Sequence, residues 1–219
     1  MYSSIEENYL KALYNLANEK GEVSTLLLSR SLHIKMPTVN SMMKKFSEKE
    51  LVHYQSYKPL KLTKKGEKEA ALILRKHRLT EMYLVEKMGF SWEDVHEIAE
   101  QVEHIHSDKF FNKMDELLEH PKFDPHGSPI PDREGNVEWI NYKKLSECKT
   151  GEEVVLSAVV NGSKEFLKYL NSKNFKLGLK LRIEQIEEYD KSITVHIKET
   201  HKTEVLSNLV AEKLLVEKG

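Results

Sequence analysis

Residues 23–48 read VSTLLLSRSLHIKMPTVNSMMKKFSE. Ser24 is placed to cap a first helix that runs through the apolar stretch to Leu32. His33-Ile34-Lys35-Met36 is a short turn, and Pro37 suits the first turn of a second helix, Pro37 to Glu48. Val39, Met42, Met43 and Phe46 give that second helix one apolar face. Two helices joined by a tight turn make a helix-turn-helix.

The flanks complete the unit. Upstream, Tyr9, Leu10, Leu13, Tyr14, Leu16 and Ala17 form the apolar face of a preceding helix that Gly21 ends. Downstream, Leu51 to Tyr54 and Leu60 to Thr63 read as two strands around a loop, which is a wing. Helices of this kind place the N-terminal residues of the second helix on base edges in the major groove. Here those residues are Lys35, Pro37, Thr38, Asn40 and Ser41. Lys44, Lys45, Lys58 and Lys61 are placed to neutralise phosphates. Only Arg30 is an arginine in residues 1–63, so bidentate guanine readout is not expected, and shape readout has to contribute. A three-helix domain that docks a protein is the alternative.

Charge is distributed to match. Residues 1–80 hold 15 Lys and Arg against 8 Asp and Glu, whereas residues 81–140 hold 5 against 15 and five of the ten His. The basic third suits a polyanion; the acidic, His-rich middle suits a cation. The bland reading of both is a set of solvated helix faces.

The acidic middle contains VHEIAEQVEHIH, residues 95–106. On one continuous helix, His96, Glu100, Glu103 and His104 fall within an arc of about 100°. His77 and Glu81 form a second pair at i,i+4 on a long helix that Thr63 caps and Gly89 bounds, Lys64 to Met88. Ser91 and Ser107 are expected to cap the next two helices. Imidazole and carboxylate without thiolate suit a first-row divalent metal. Residues 121–131, PKFDPHGSPIP, cannot be helix, and two prolines flank His126 as they would a rigid ligand. Beyond them the pattern changes to strands: Val154 to Val159, Leu179 to Ile186, Ile193 to Ile197 and Lys213 to Glu217, with a short helix at Lys164 to Asn171. This reads as a small SH3-like β-barrel. The single Cys148 excludes a disulfide framework and is expected to be a small buried residue; Trp92 and Trp139 are expected to pack the middle segment. The first ten residues show no basic stretch before an apolar core, and no run is long enough to span a membrane, so a cytoplasmic protein is expected.

The expected fold is mainly α with a small β domain. Residues 1–63 form a winged helix-turn-helix, 64–140 a helical dimerisation and metal-binding domain, and 141–219 the SH3-like domain. This order, with KHRLTE (76–81), VHEIAEQVEH (95–104) and GSPIP (127–131), resembles the iron- and manganese-dependent repressors of the diphtheria toxin repressor (DtxR/MntR) family. The resemblance implies a homodimeric, metal-activated repressor of operator DNA concerned with metal homeostasis, without a small organic substrate. It implies that Glu100, Glu103 and His104 are primary ligands, and that His77, Glu81 and His96 are ancillary ones. It matches Asp124 and His126 to a Cys-x-His ligand pair, and Glu165, with Asn161 second, to a ligand from the third domain. Glu at position 100, where iron sensors usually have Cys, favours Mn(II) over Fe(II). The helix 1 ligand is Asn8, weaker than the usual Met or Asp. Lys11 stands where manganese sensors have a carboxylate, which argues against a closely spaced binuclear site, and Glu7 is expected to point elsewhere.

The implied mechanism runs through one bridge. Metal on Glu100, Glu103 and His104 reaches Asn8, ties helix 1 to the dimerising helices and sets two recognition helices at ~34 Å or a multiple. Two alternatives are a winged-helix regulator with purely structural metals and a diiron carboxylate enzyme. The second is disfavoured because both Glu-x-x-His motifs, Glu93 to His96 and Glu103 to His106, lie on one segment. On this reading Glu103→Ala abolishes Mn(II)-dependent retardation of operator DNA and leaves the fold intact.

Overall fold

The computed structural model describes residues 2–17, 20–160 and 162–219. The chain divides into two compact units: Met1–Thr80, Ala99–His120 and Ile130–Glu138 in the first; Glu81–Ile98, Pro121–Pro129 and Trp139–Gly219 in the second.

The first unit begins with α1 (Ser4–Leu16), fixed at its start by a reciprocal capping box between Ser3 and Glu6. Next come β1 (Glu22–Val23), α2 (Thr25–Ser31) and α3 (Met36–Glu48). Ser24 caps α2 by accepting from the Leu27 N–H, and Pro37 sits in the first turn of α3. The wing is β2 (Val52–His53) and β3 (Leu60–Leu62), with β3 between β1 and β2 in an antiparallel sheet. β1 was not legible in the sequence because two residues carry no alternation. Tyr9, Leu10, Leu13, Leu28, Val39, Met43, Phe46, Leu51 and Leu60 form the core, with Tyr9 and Phe46 edge to face at 6.3 Å. Each such side chain contributes about 1.5–3 kcal/mol on burial.

Helix α4 (Lys64–Glu86) follows the wing directly. The Thr63 hydroxyl accepts from the Gly66 N–H at 3.0 Å. A Cβ at Gly66 would lie 2.0 Å from the Leu51 carbonyl oxygen, so only glycine lets the helix start this close to the wing. The helix stops two residues short of the expected Met88. Gly89 (φ +74°) turns the chain, and the Phe90 N–H closes on the Leu84 carbonyl. Helix α5 covers only His96–Val102, and α6 covers Asp108–Leu117 with Ser107 as its cap. Within the first unit, Arg75 and Asp115 form a buried ion pair at 2.8 Å, and Arg75 also donates to the Pro131 carbonyl.

Ser91 does not begin α5. Residues 92–95 are turn, and their side chains serve the second unit. Trp92 packs on its core and donates to Asn171 Oδ1, while Asp94 pairs with Lys164. That unit is a six-stranded antiparallel sheet in the order β4-β9-β5-β6-β7-β8. The strands are β4 (Lys143–Lys144), β5 (Glu153–Val159), β6 (Lys180–Ile186), β7 (Ile193–Ile197), β8 (Lys202–Leu206) and β9 (Leu214–Lys218). Helices α7 (Lys164–Ser172) and α8 (Asn208–Ala211) accompany them. Leu156, Leu170, Phe175, Leu181, Ile183, Val195 and Leu214 are central to the core. β8 escaped the sequence reading because, as an edge strand, it buries only Leu206. Trp139 is 66% exposed and does not pack as expected. Cys148 is buried, and desolvation pushes its thiol up to about 11.

Glu6 ties α1 to α3. Its carboxylate lies 2.6 Å from Lys49 Nζ and 3.2 Å from Lys45 Nζ. The Lys49 hydrogen bond, then that of the Ser3 N–H, lowers its pKa from an ordinary 4.5 to about 2. Because the folded pKa is the lower one, this stabilisation is complete above pH 4.5 and fades as pH falls toward 2. Glu6→Gln should cost about 1–2 kcal/mol at pH 7, limited by the exposure of both lysines. Denaturant midpoints of the two proteins should converge as pH falls through and below 2.

Candidate metal centre

Among the described residues, imidazoles and carboxylates gather within each unit. The cluster in the first unit depends on α1. Glu7 and Lys11 lie four residues apart and share a face of that helix. Opposite them, α5 ends at Val102, and Glu103 and His104 occupy the closing turn, held by the Glu103 N–H on the Ala99 carbonyl. The stripe therefore does not continue as helix to His106.

Lys11 Nζ lies 2.5 Å from Glu100 Oε1 and 2.7 and 2.9 Å from the two oxygens of Glu103. His77 Nδ1 is 2.6 Å from Glu103 Oε2. His104 Nδ1 is 2.6 Å from Glu7 Oε2, and His106 Nδ1 is 3.8 Å from Glu7 Oε1. Glu103 is fully buried; Glu7 is 3% exposed and points inward, not away as the sequence suggested. The resemblance had given the ligand position on this helix to Asn8 alone. Asn8 is half-buried beside it, and its Oδ1 has no hydrogen-bond partner. Carboxylates, imidazoles and an unsatisfied amide oxygen suit a cation, but a cationic side chain already stands among them.

The second cluster lies entirely in the second unit. Ligand atoms of Glu81, Asp124 and His126 all come within 4.8 Å of one another. His96 Nδ1 is 3.3 Å from Glu81 Oε1. Sequence spacing could not join Glu81 to Asp124 and His126, because the end of α4, all of α5 and α6 and the turns between them separate these residues. The loop is built as a rigid seat. Asp124 Oδ1 accepts from the backbone N–H groups of His126 and Ser128, and residues Phe123 and Pro129 bridge across it. Gly127 has φ +85°, and a Cβ there would lie 2.2 Å from the Ser157 carbonyl oxygen on β5. The His126 carbonyl accepts from the Val159 N–H.

The orientation of His126 is also fixed. Its ring stacks on Trp92 at 5.9 Å, and Nε2 lies 3.0 Å from the Trp92 carbonyl oxygen. A carbonyl only accepts, so Nε2 carries the proton and Nδ1 turns to Glu81 (3.8 Å) and Asp124 (4.0 Å). Burial opposes charge on this ring, but the hydrogen bond and charge of Glu81, with the charge of Asp124, outweigh it and raise its pKa. The cluster thus attracts positive charge and offers oxygen and nitrogen donors without thiolate, a set that fits Mn(II) or Fe(II).

Glu165 is in neither cluster. It sits in the first turn of α7, where its own N–H and the Ser163 side chain hold its carboxyl below the usual range. Asn161 lies outside the described residues.

On the winged helix, Lys35 precedes the first residue of α3, and Lys35, Pro37, Thr38, Ser41 and Lys44 are exposed, with Asn40 half-buried. The Ser41 hydroxyl donates to the Pro37 carbonyl. Lys45 is engaged by Glu6, while Lys58 and Lys61 are exposed on the wing. A winged helix together with carboxylate–imidazole clusters defines a DNA-binding regulator answering to a divalent cation.

Comparison with known proteins agrees. Residues 1–60 match the profile "Iron dependent repressor, N-terminal DNA binding domain", residues 63–132 match "Iron dependent repressor, metal binding and dimerisation domain", and residues 143–218 match the FeoA domain. The iron-dependent repressor IdeR of Mycobacterium tuberculosis is 30% identical over 157 residues, 68% of each chain. The diphtheria toxin repressor of Corynebacterium jeikeium is 31% identical over 143 residues, 65% of this chain and 60% of that one. Among solved structures, a manganese-dependent transcriptional repressor in complex with manganese superposes with a TM-score of 0.89 at 30% identity, covering 97% of this chain and 99% of that one. ScaR with bound Zn2+ gives 0.80 at 30% identity, covering 98% and 99%. The chain belongs to the iron-dependent repressor family: it is a metal-dependent, DNA-binding transcriptional repressor and not an enzyme. No helix among the described residues is long and apolar enough to cross a membrane.

The geometry changes one expectation. Removing the buried Glu103 carboxylate would take away one of the carboxylates that hold Lys11 and the acceptor at His77 Nδ1, so Glu103→Ala should lose about 3–5 kcal/mol in denaturant unfolding as well as any metal response. Gly127→Ala should cost about 1–3 kcal/mol and weaken Mn(II) binding, measured by calorimetric titration, because the Asp124–His126 loop must lift from β5.

Proposed function

We propose that the ion regulating this repressor sits on Glu81, Asp124 and His126, with His96 as a fourth donor, and that Mn(II) is favoured over Fe(II). The observation that carries this reading is the convergence of two buried carboxylates on a histidine whose tautomer aims Nδ1 at them. Two carboxylates and two imidazoles are a harder donor set than one containing thiolate, and Mn(II) is the harder ion. The ion acts through its difference in affinity between the DNA-competent arrangement and the others, where a coupling of ~1–3 kcal/mol corresponds to roughly 5- to 150-fold in DNA affinity.

In the proposed cytoplasmic homodimer, each subunit lays α3 in a major groove. Thr38, Asn40 and Ser41 face base edges, Pro37 offers an apolar surface to a thymine methyl, and Lys35, Lys44, Lys58 and Lys61 meet phosphates. Lys45 shares its charge with Glu6 and contributes less.

The test is operator retardation by chelator-stripped full-length protein, repeated with Mn(II), anaerobic Fe(II) and Zn(II). Retention of DNA binding after chelation would favour purely structural metals. His126→Ala should abolish the Mn(II) response while leaving residual binding at low salt. Lys44→Ala should weaken binding across sequences and reduce the slope of log affinity against log salt by about 0.9.

A further inference from the structure

We propose that Lys11 is a tethered cation that takes the place of a divalent ion between Glu100 and Glu103. Helix α1 is thereby pinned to the turn after α5 without metal, and the chain takes a single regulatory ion, at the second cluster. The inference rests on reading Glu81, Asp124 and His126 as that ion's seat.

The donor arithmetic carries the argument. A lysine ammonium has three N–H donors and no acceptor. Lys11 Nζ has three carboxylate oxygens within 2.5–2.9 Å, one from Glu100 and both from Glu103. Its side chain is 11% exposed and that of Glu103 is 0% exposed, so water does not compete for the two bonds to Glu103; Glu100 is 35% exposed. A divalent ion bound between these carboxylates would need the same oxygens and would sit against the ammonium charge.

The neighbouring imidazoles point the same way. Carboxylates only accept, so His77 donates its Nδ1 proton to Glu103 and His104 donates its own to Glu7. Both rings spend Nδ1 as a donor on an oxygen that a metal would use. At the second cluster the contacts are looser: Nε2 of His126 donates to the Trp92 carbonyl, and Nδ1 stands 3.8 Å from Glu81 and 4.0 Å from Asp124, against the 2.6 Å contacts of His77 and His104. The first cluster is satisfied by its own cation, whereas the second is arranged to receive one.

Lys11 also supplies the mechanical link. It comes from α1, and its partners come from α5 and the following turn, 89 and 92 residues further along the chain. A bond that a metal would make conditional is made permanent by a side chain.

The experiment counts ions on chelator-stripped, full-length protein by the electron paramagnetic resonance signal of free Mn(II). Wild type and K11R should bind one Mn(II) per chain, K11Q two, H126A none, and the K11Q/H126A double variant one. Without metal, K11Q should melt below wild type and K11R, because a buried carboxylate has lost its cation. Two ions on wild type, with H126A losing one, would overturn the Lys11 assignment and leave the second cluster's role standing. One ion on wild type that persists in H126A would overturn the reading of the second cluster. Unchanged stoichiometry and melting in K11Q would also defeat the proposal. If K11Q does not fold, the wild-type, K11R and H126A counts still decide.

Discussion

A carboxylate with no solvent access has to be neutralised, and Glu103 is such a group. Its two oxygens are met by the Lys11 ammonium and the His77 imidazole. Much of the first unit follows from that requirement. Lys11 belongs to α1, so α1 has to lie where its fourth and eighth helical residues, Glu7 and Lys11, face the turn after α5. The other side of α1 is fixed by Glu6, which caps the helix through Ser3 and reaches Lys49 at the C-terminal cap of α3. One helix is held by charge on both sides and by Tyr9, Leu10 and Leu13 in the apolar core between. This gives electrostatics unusual leverage over the DNA-binding unit, since α1 and α3 share that core.

The second unit solves a different problem. Its Pro-rich loop has little conformational freedom to lose, and Gly127 lets it lie flat on β5. Asp124 is oriented by two backbone N–H groups and His126 by Trp92. Donors held in place in this way would cost less ordering on binding the proposed ion. The side chain that carries most of this support, Trp92, is neither a ligand nor part of a helix. It lies in the turn before α5 and is anchored to Asn171 on α7.

The DNA-binding surface is modest in charge. Residues 1–63 contain one arginine, and of the lysines on α3, Lys45 is shared with Glu6. Affinity from phosphate neutralisation alone is therefore limited and salt-sensitive. In the proposed binding mode, specificity would fall to short polar side chains at the start of α3, to DNA shape, and to the spacing of two subunits. A weakly basic reader is well suited to control by an ion, because a few kcal/mol then moves occupancy a long way.

The sequence by itself determined the local elements. Ser24, Thr63 and Ser107 announced helix starts, Pro37 the first turn of α3, and the apolar period of 3.6 the faces of α1 and α3, because capping and periodicity act within a few residues. It also assembled the list of imidazoles and carboxylates, and the family resemblance set Lys11 apart among them. Tertiary structure alone decided how these groups divide. It shortened α5 to His96–Val102 by drawing Trp92 to another core and Asp94 to a surface ion pair with Lys164. It turned Glu7 inward and joined Glu81 to a loop some forty residues away. It placed a lysine ammonium on the carboxylates that spacing had reserved for metal. The physical reason is range: a side chain's partner across the core is chosen by burial and charge balance among distant segments, and no local pattern encodes that choice.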